Sequence, residues 1–108
     1  PLRSLRDRDA LARGVADGTI DAVCSDHCPV AEDGKEVPFG EAEPGAVGLE
    51  LLLPLALKGA DGRSLAAALR PVTAGPARVL GLESPSLELG ARADLCSFDP
   101  AAWWRVNP

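Results

Sequence analysis

The sequence predicts an α/β fold, and three stretches support this prediction. Residues 4–18 have the spacing of a helix, and residues 19–25 (TIDAVCS) form a short, mostly apolar run. Such a run is typical of a strand that is buried on both faces of a parallel sheet. Residues 86–100 then switch to an alternation of apolar and polar side chains, which favours a β-hairpin. A single strand of the parallel type cannot form a sheet, so its neighbours are expected from upstream residues or from other copies of the chain.

The first helix and the loop after the strand have clear local signals. Ser4 and Asp7 are three residues apart, as in a capping box, and Gly18 favours the end of the helix. The stretch 27–45 is rich in proline and glycine, which predicts a long loop. Loops of this length in compact domains are usually functional or mobile.

Three further helices are expected after this loop. Residues 46–62 are strongly apolar and predict a helix that ends near Gly59 and is bent or restarted at Pro54. Ser64 and Thr73 are placed to cap two shorter helices that follow. Because the first of these helices is apolar nearly all round, it is expected to be covered by other elements.

The composition excludes several classes of function. The chain has 108 residues, enough for one domain at most, and a net charge of −5 with scattered basic residues, which argues against nucleic acid and membrane surfaces as partners. No apolar run of about 18 residues and no signal peptide are visible. An odd number of cysteines, 3, favours a reduced, cytoplasmic protein. The chain starts at Pro1 and contains no methionine, which suggests part of a longer protein.

Asp26 is the main candidate for a functional group. It directly follows the predicted strand, and catalytic groups of a (β/α)₈ barrel lie at this end of the strands, so its side chain is expected to face the barrel axis. A carboxylate there can bind a metal or act as a general base. Two alternatives remain: an aspartate or histidine that only forms a turn or caps a helix, and a zinc site made of Cys24, His27 and Cys28. The second lacks the further ligand pair of a structural zinc site, which favours the cysteines as buried fillers.

Several motifs together resemble one enzyme family. The runs DGTIDAVCSDHCPV and EPGAVGLE, followed by VTAGPARVLGL and SLELGARADLCSFDP, are similar to the C-terminal part of class I dihydroorotases in the amidohydrolase superfamily. The resemblance covers the chain except for the tail AAWWRVNP. It implies that residues 1–82 are the last helix, strand, loop and helices of a (β/α)₈ (TIM) barrel. Residues 83–108 would then be the hairpin and tail of a small accessory β-sandwich.

The resemblance also implies a reaction, the zinc-dependent interconversion of dihydroorotate and N-carbamoyl-L-aspartate in de novo pyrimidine biosynthesis. Asp26 matches the family aspartate that contacts the zinc and shuttles a proton. Pro44 and Gly45 match a loop whose backbone contacts the substrate.

Two departures from the family pattern bear on activity. Val30 replaces a histidine that helps to hold the substrate carboxylate, and Cys28 replaces a small alanine. The other zinc ligands would precede Pro1, so these residues alone are not expected to hold zinc or to catalyse. Two functions therefore stay open: part of an active dihydroorotase, or a degenerate, non-catalytic subunit that forms an oligomer with the aspartate transcarbamoylase catalytic subunit. Val30 favours the second.

Overall fold

The computed structural model describes residues 3–60 and 62–106 and shows a helical chain. Four α-helices are joined by irregular segments and by three single 3₁₀ turns. The helices are α1 (Leu5–Asp17), α2 (Leu52–Lys58), α3 (Leu65–Leu69) and α4 (Ala74–Val79). The 3₁₀ turns are Glu32–Gly34, Leu49–Leu51 and Arg70–Val72. None of the helices in the described ranges is long and apolar enough to cross a membrane.

Helix α1 begins and ends where the sequence predicts. The Asp7 N–H donates to Ser4 Oγ (3.2 Å) and the Ser4 N–H donates to Asp7 Oδ2 (3.2 Å), which confirms the capping box. Gly18 ends the helix with φ at 85°, a left-handed conformation that glycine adopts without steric cost. The chain then folds back on α1, because the Ile20 N–H donates to Gly14 O (2.8 Å).

The apolar helix expected within residues 46–62 is shorter than predicted. It starts as the 3₁₀ turn Leu49–Leu51 and becomes α-helical only from Leu52, two residues before Pro54. Proline lacks the N–H that an α-helical bond to residue 50 requires, which explains a helix that restarts at this point. Its end before Gly59 is confirmed.

The two short helices begin at the predicted residues, but only one cap forms. Ser64 Oγ accepts the Ala67 N–H (3.3 Å) and caps α3. Thr73 precedes α4 without capping it, since its hydroxyl donates back to Leu69 O (2.8 Å). The prediction of a threonine cap is therefore wrong, because the preceding carbonyl competes for the hydroxyl.

No β-strand is present in residues 3–60 or 62–106, so the predicted strand at 19–25 and the hairpin at 86–100 are not seen. A strand is defined by the hydrogen bonds that it exchanges with a neighbouring strand. Here the Ile20 N–H bonds instead to Gly14 O of α1 (2.8 Å), and the Val23 N–H to Pro71 O of the Arg70–Val72 turn (2.8 Å). The described residues supply no partner strand for either segment.

Helix α4 lies directly against the backbone of the 20–23 segment. A Cβ on Gly75 would be 2.0 Å from Asp21 O, so only glycine fits there. Arg78 of α4 also forms an ion pair with Asp21. These contacts, with the Val23–Pro71 hydrogen bond, fix the segment that leads to Asp26.

Little apolar surface is buried by these helices. The buried apolar side chains of the described ranges are small: Ala60, Ala68, Ala77 and Pro71. The accessible surface is 9159 Å², whereas a folded monomer of this mass is expected to expose about 5,700 Å². Leu55 of α2 remains 59% exposed, so the cover that the sequence predicts for this helix is not supplied by the described residues.

Candidate functional site

The two most specific motifs of the sequence lie side by side. The Cys28 N–H donates to Ala46 O (3.0 Å), which joins the segment 24–30 to the segment 44–49. A Cβ on Gly48 would be 2.6 Å from Ser25 O, so the two backbones approach too closely for any other residue. The candidate site is this pair of segments.

Asp26 is exposed at the middle of the first segment. Its φ is 47°. Among the described residues, every other residue with a positive φ is a glycine. Such a conformation is uncommon outside glycine, although aspartate and asparagine adopt it more readily than other residues. None of the hydrogen bonds found between described side chains involves the Asp26 carboxylate, which leaves its oxygens open to a ligand or to water. The predicted strand before it is not formed, and its orientation to a barrel axis stays a prediction.

His27 caps the start of the helical segment at Leu49–Leu51. Its Nδ1 accepts the N–H of Gly48 (3.1 Å) and the N–H of Leu49 (3.2 Å). The sequence allowed a helix cap as one role for this residue, but its target lies 21 and 22 residues away. No spacing rule identifies a cap at that distance.

Pro44 and Gly45, the residues matched to the substrate loop, are exposed at the edge of the second segment. Gly45 has φ at 138°, and a Cβ there would be 2.5 Å from Cys28 O. Lys35 Nζ donates to both Glu43 O (2.5 Å) and Gly45 O (2.9 Å), which closes the loop on both sides of Pro44. Sequence reasoning missed this lysine, because a single exposed lysine in a loop gives no signal.

Val30 packs inside the loop and is half-buried. Its Cγ1 lies 2.9 Å from the position of a Cβ on Gly34, and its Cγ2 lies 3.0 Å from that on Gly45. The side chain thus fills the space between two glycines of the loop and offers no polar atom to a ligand.

The described residues do not assemble a metal site. No group of three histidine, cysteine, aspartate or glutamate side chains that could hold an ion occurs among them. Cys24 and Cys28 are free and exposed, and the Nδ1 of His27 is already engaged by two amides. The alternative of a zinc site from these three residues is therefore not supported. Nor are the cysteines the buried fillers that the sequence favoured.

Asp26 supplies one candidate ligand, whereas a catalytic zinc site uses about three protein ligands. The residues in this part of the chain therefore do not fit a zinc ion by themselves. No catalytic step through zinc can be derived from them.

Comparison with known proteins finds one matching family and several similar proteins. The profile of the amidohydrolase family matches residues 2–108. A "Dihydroorotase" of Geobacter sp. (strain M21) is 45% identical over 109 residues, and one of Anaeromyxobacter dehalogenans (strain 2CP-C) is 46% identical over 113 residues. They are matched over 99% and 100% of this chain, but over 26% and 25% of their own length. A "Dihydroorotase-like protein" of Pseudomonas putida is 44% identical over 104 residues, which are 94% of this chain and 24% of that protein. The chain thus spans about a quarter of the length of these relatives.

Proposed function

The chain belongs to the amidohydrolase family, and we propose that it serves de novo pyrimidine biosynthesis as part of a dihydroorotase-like protein that has lost catalysis. In this role it assembles with the catalytic subunit of aspartate transcarbamoylase as an oligomer. The observation that carries the proposal is the state of Val30. The resemblance expects a histidine there that holds the carboxylate of the substrate.

A valine at this position removes both a hydrogen-bond donor and a possible positive charge. A hydrogen bond to a charged group is worth about 1.5–3 kcal/mol, or roughly 10- to 150-fold in affinity. The Val30 side chain packs between Gly34 and Gly45 and has no polar atom that could bind a carboxylate.

The net charge of the surrounding loop also supports a loss of substrate binding. Within residues 31–43 the acidic side chains are Glu32, Asp33, Glu36, Glu41 and Glu43. The basic side chain of this stretch is that of Lys35, whose Nζ is bonded to two carbonyl oxygens. An anionic substrate approaching this loop meets net negative charge, which lowers its local concentration.

An active dihydroorotase is the second candidate function, supported by the similarity to proteins of that name. In that case Asp26, whose carboxylate is exposed, would move the proton between water and the ring nitrogen of dihydroorotate. The backbone of Pro44 and Gly45 would hold the substrate. Because Gly45 O accepts from Lys35, the Gly45 N–H is the group of this residue that remains for a substrate oxygen.

Restoring histidine at position 30 separates the two functions. The protein at its natural length is assayed for cyclisation of carbamoyl-aspartate with added zinc, as wild type and as Val30→His, with Val30→Ile as an apolar control. Val30→His supplies a substrate contact but no zinc ligand, so a subunit that has also lost its upstream zinc ligands should show no zinc-dependent turnover in any of the three proteins. We also expect co-purification with aspartate transcarbamoylase in each.

Zinc-dependent turnover by the wild type would refute the loss of catalysis and support the second candidate. Under that alternative, Val30→His should raise substrate affinity by up to the roughly 10- to 150-fold stated for a charge-assisted bond, while Val30→Ile should not. Failure to assemble with aspartate transcarbamoylase would refute the proposal that this enzyme is the partner.

A further inference from the structure

The side chain of His27 forms hydrogen bonds between the two segments of the candidate site. Its Nδ1 accepts from two consecutive amides, those of Gly48 (3.1 Å) and Leu49 (3.2 Å). These amides open the 3₁₀ turn Leu49–Leu51 that leads into α2. The first N–H groups of a helical segment have no partner within it, so an acceptor from outside is needed.

This contact defines the chemical state of the imidazole. A nitrogen that accepts two N–H groups carries no proton, and in a neutral imidazole the proton then lies on the other nitrogen. His27 is therefore the Nε2–H tautomer, with Nδ1 committed to the backbone of the second segment.

The neighbours of His27 make further attachments to the same segment. The Cys28 N–H donates to Ala46 O (3.0 Å), and Ser25 O lies against Gly48, where a Cβ would be 2.6 Å away. Asp26 stands between these attachments with φ at 47°. A left-handed conformation costs energy in a non-glycine residue, and it persists only where the surroundings hold it.

We propose that His27 is a positioning residue, which acts through the backbone of Gly48 and Leu49. By holding that backbone, it keeps the segment 44–49 against Ser25 and Cys28, the neighbours of the Asp26–His27 pair, and so keeps Asp26 in its left-handed conformation. The proposal goes beyond the proposed function, because the contact is made by this chain whether or not the protein catalyses. It assigns His27 neither to a metal nor to a substrate.

The wild-type protein tests the contact directly. Nuclear magnetic resonance on the ¹⁵N-labelled protein at its natural length should show a coupling across the hydrogen bond, between His27 Nδ1 and the amide nitrogen of Gly48 or Leu49. The same spectra should show the proton on Nε2. A proton on Nδ1 at neutral pH would overturn the proposal, and this measurement needs no substitution.

Two substitutions then separate the acceptor from the shape of the ring. In His27→Asn, the side-chain oxygen stands close to the position of Nδ1 and can accept the same amides. In His27→Phe, the ring remains but the acceptor is lost. We expect hydrogen exchange at Gly48 and Leu49 to become at least about tenfold faster in His27→Phe. We expect His27→Asn to restore most of the protection.

The control amide is that of Arg8, which donates to Ser4 O (3.1 Å) in α1 and should exchange at the same rate in all three proteins. Unchanged exchange at Gly48 and Leu49 in His27→Phe would overturn the proposal. Equal loss of protection in both variants would do the same, because it would show that only the ring shape matters. Assembly with aspartate transcarbamoylase and zinc-dependent turnover are measured separately on the same variants, so the proposed function and the role of His27 can fail independently.

Discussion

The segments 19–49 and 83–106 are both irregular, but different contacts hold them. In the first, hydrogen bonds join residues far apart in sequence, such as His27 to Leu49 across 22 positions. In the second, the hydrogen bonds found join residues no more than three positions apart, such as Ala91 N to Glu88 O (3.1 Å) and Ala102 N to Asp99 O (3.1 Å). The first segment is thus fixed by its own motif residues, and the second by short turns.

This difference shows where the information for each region lies. In the second segment Leu87 and Leu89 are 88% and 106% exposed, and they alternate with polar neighbours as strand residues do. An apolar strand face of this kind needs a neighbouring sheet to cover it. The first segment needs no such partner for its shape, because its amides and carbonyls bond to each other and to α1 and the Arg70–Val72 turn.

Adding a methyl group at one glycine in each segment should give the largest contrast. Gly45 and Gly90 both have positive φ, at 138° and 88°, so alanine is strained at both. At Gly45 the new Cβ would also lie 2.5 Å from Cys28 O, whereas at Gly90 nothing lies within 4 Å. We expect Gly45→Ala to lower the free energy of unfolding by about 3 kcal/mol or more, and Gly90→Ala by about 1 kcal/mol.

Denaturant unfolding of the natural-length protein measures both values. Equal losses for Gly45→Ala and Gly90→Ala would show that the close approach of the two segments does not hold in solution. The proposed difference between the two segments, with long-range contacts in 19–49 and short turns in 83–106, would then be wrong.

Removing one cation from each segment should give a smaller contrast. Lys35 donates to two carbonyls, Glu43 O and Gly45 O, whereas Arg92 pairs with Asp94 at a fully accessible site, with side chains 82% and 73% exposed. Exposed ion pairs contribute about 0–1 kcal/mol, while a charged donor shared by two carbonyls is worth about 1–3 kcal/mol. We therefore expect Lys35→Met to destabilise the loop and Arg92→Met to have almost no effect.

The stability of the loop is measured by hydrogen exchange at the Glu43 N–H, which donates to Gly34 O (3.0 Å). This exchange should become faster in Lys35→Met and stay unchanged in Arg92→Met. The sequence predicted a mobile loop from its proline and glycine content. Fast exchange at Glu43 already in the wild type would favour a mobile loop. It would contradict a loop that the hydrogen bonds of Lys35 keep ordered.

Local signals in the sequence predicted both ends of α1, whereas the predicted strand, which depends on distant residues, is not seen. The capping box of Ser4 and Asp7 and the stop at Gly18 are set by neighbours within three or four positions, so the pattern alone identifies α1. The strand predicted at 19–25 needs a neighbouring strand, and none is seen in the described residues. Thr73 failed as a cap because one carbonyl four residues back outcompetes the helix for its hydroxyl.

The candidate site shows the same limit. Asp26 and the substrate loop were identified by resemblance to a family, and their roles stay predictions. The contacts of His27 and Lys35 span 8 to 22 positions, and no rule of spacing finds them. The backbone approach at Gly48 could have been suspected from its glycine, but not the partner, Ser25.

The smallest effect is expected where the 19–49 segment begins, at the junction with α1. The Thr19 side chain and then the Thr19 N–H, which donates to Asp17 Oδ1 (2.9 Å), lower the pKa of the Asp17 carboxyl from its ordinary value. A carboxyl whose pKa is lower in the folded state adds stability above its unfolded pKa, and this stability is lost as the pH falls through the folded pKa. Because Asp17 is exposed, solvent screens the contribution, and the carboxyl resonance is a better readout than unfolding. In a carbon-detected pH titration, Thr19→Val should raise the pKa of Asp17 toward its ordinary value, while Thr19→Ser, which keeps the hydroxyl, should leave it low. An equal pKa in Thr19→Val and the wild type would mean that the Thr19 side chain does not hold this carboxylate, and that the Thr19 N–H alone attaches the segment to Asp17.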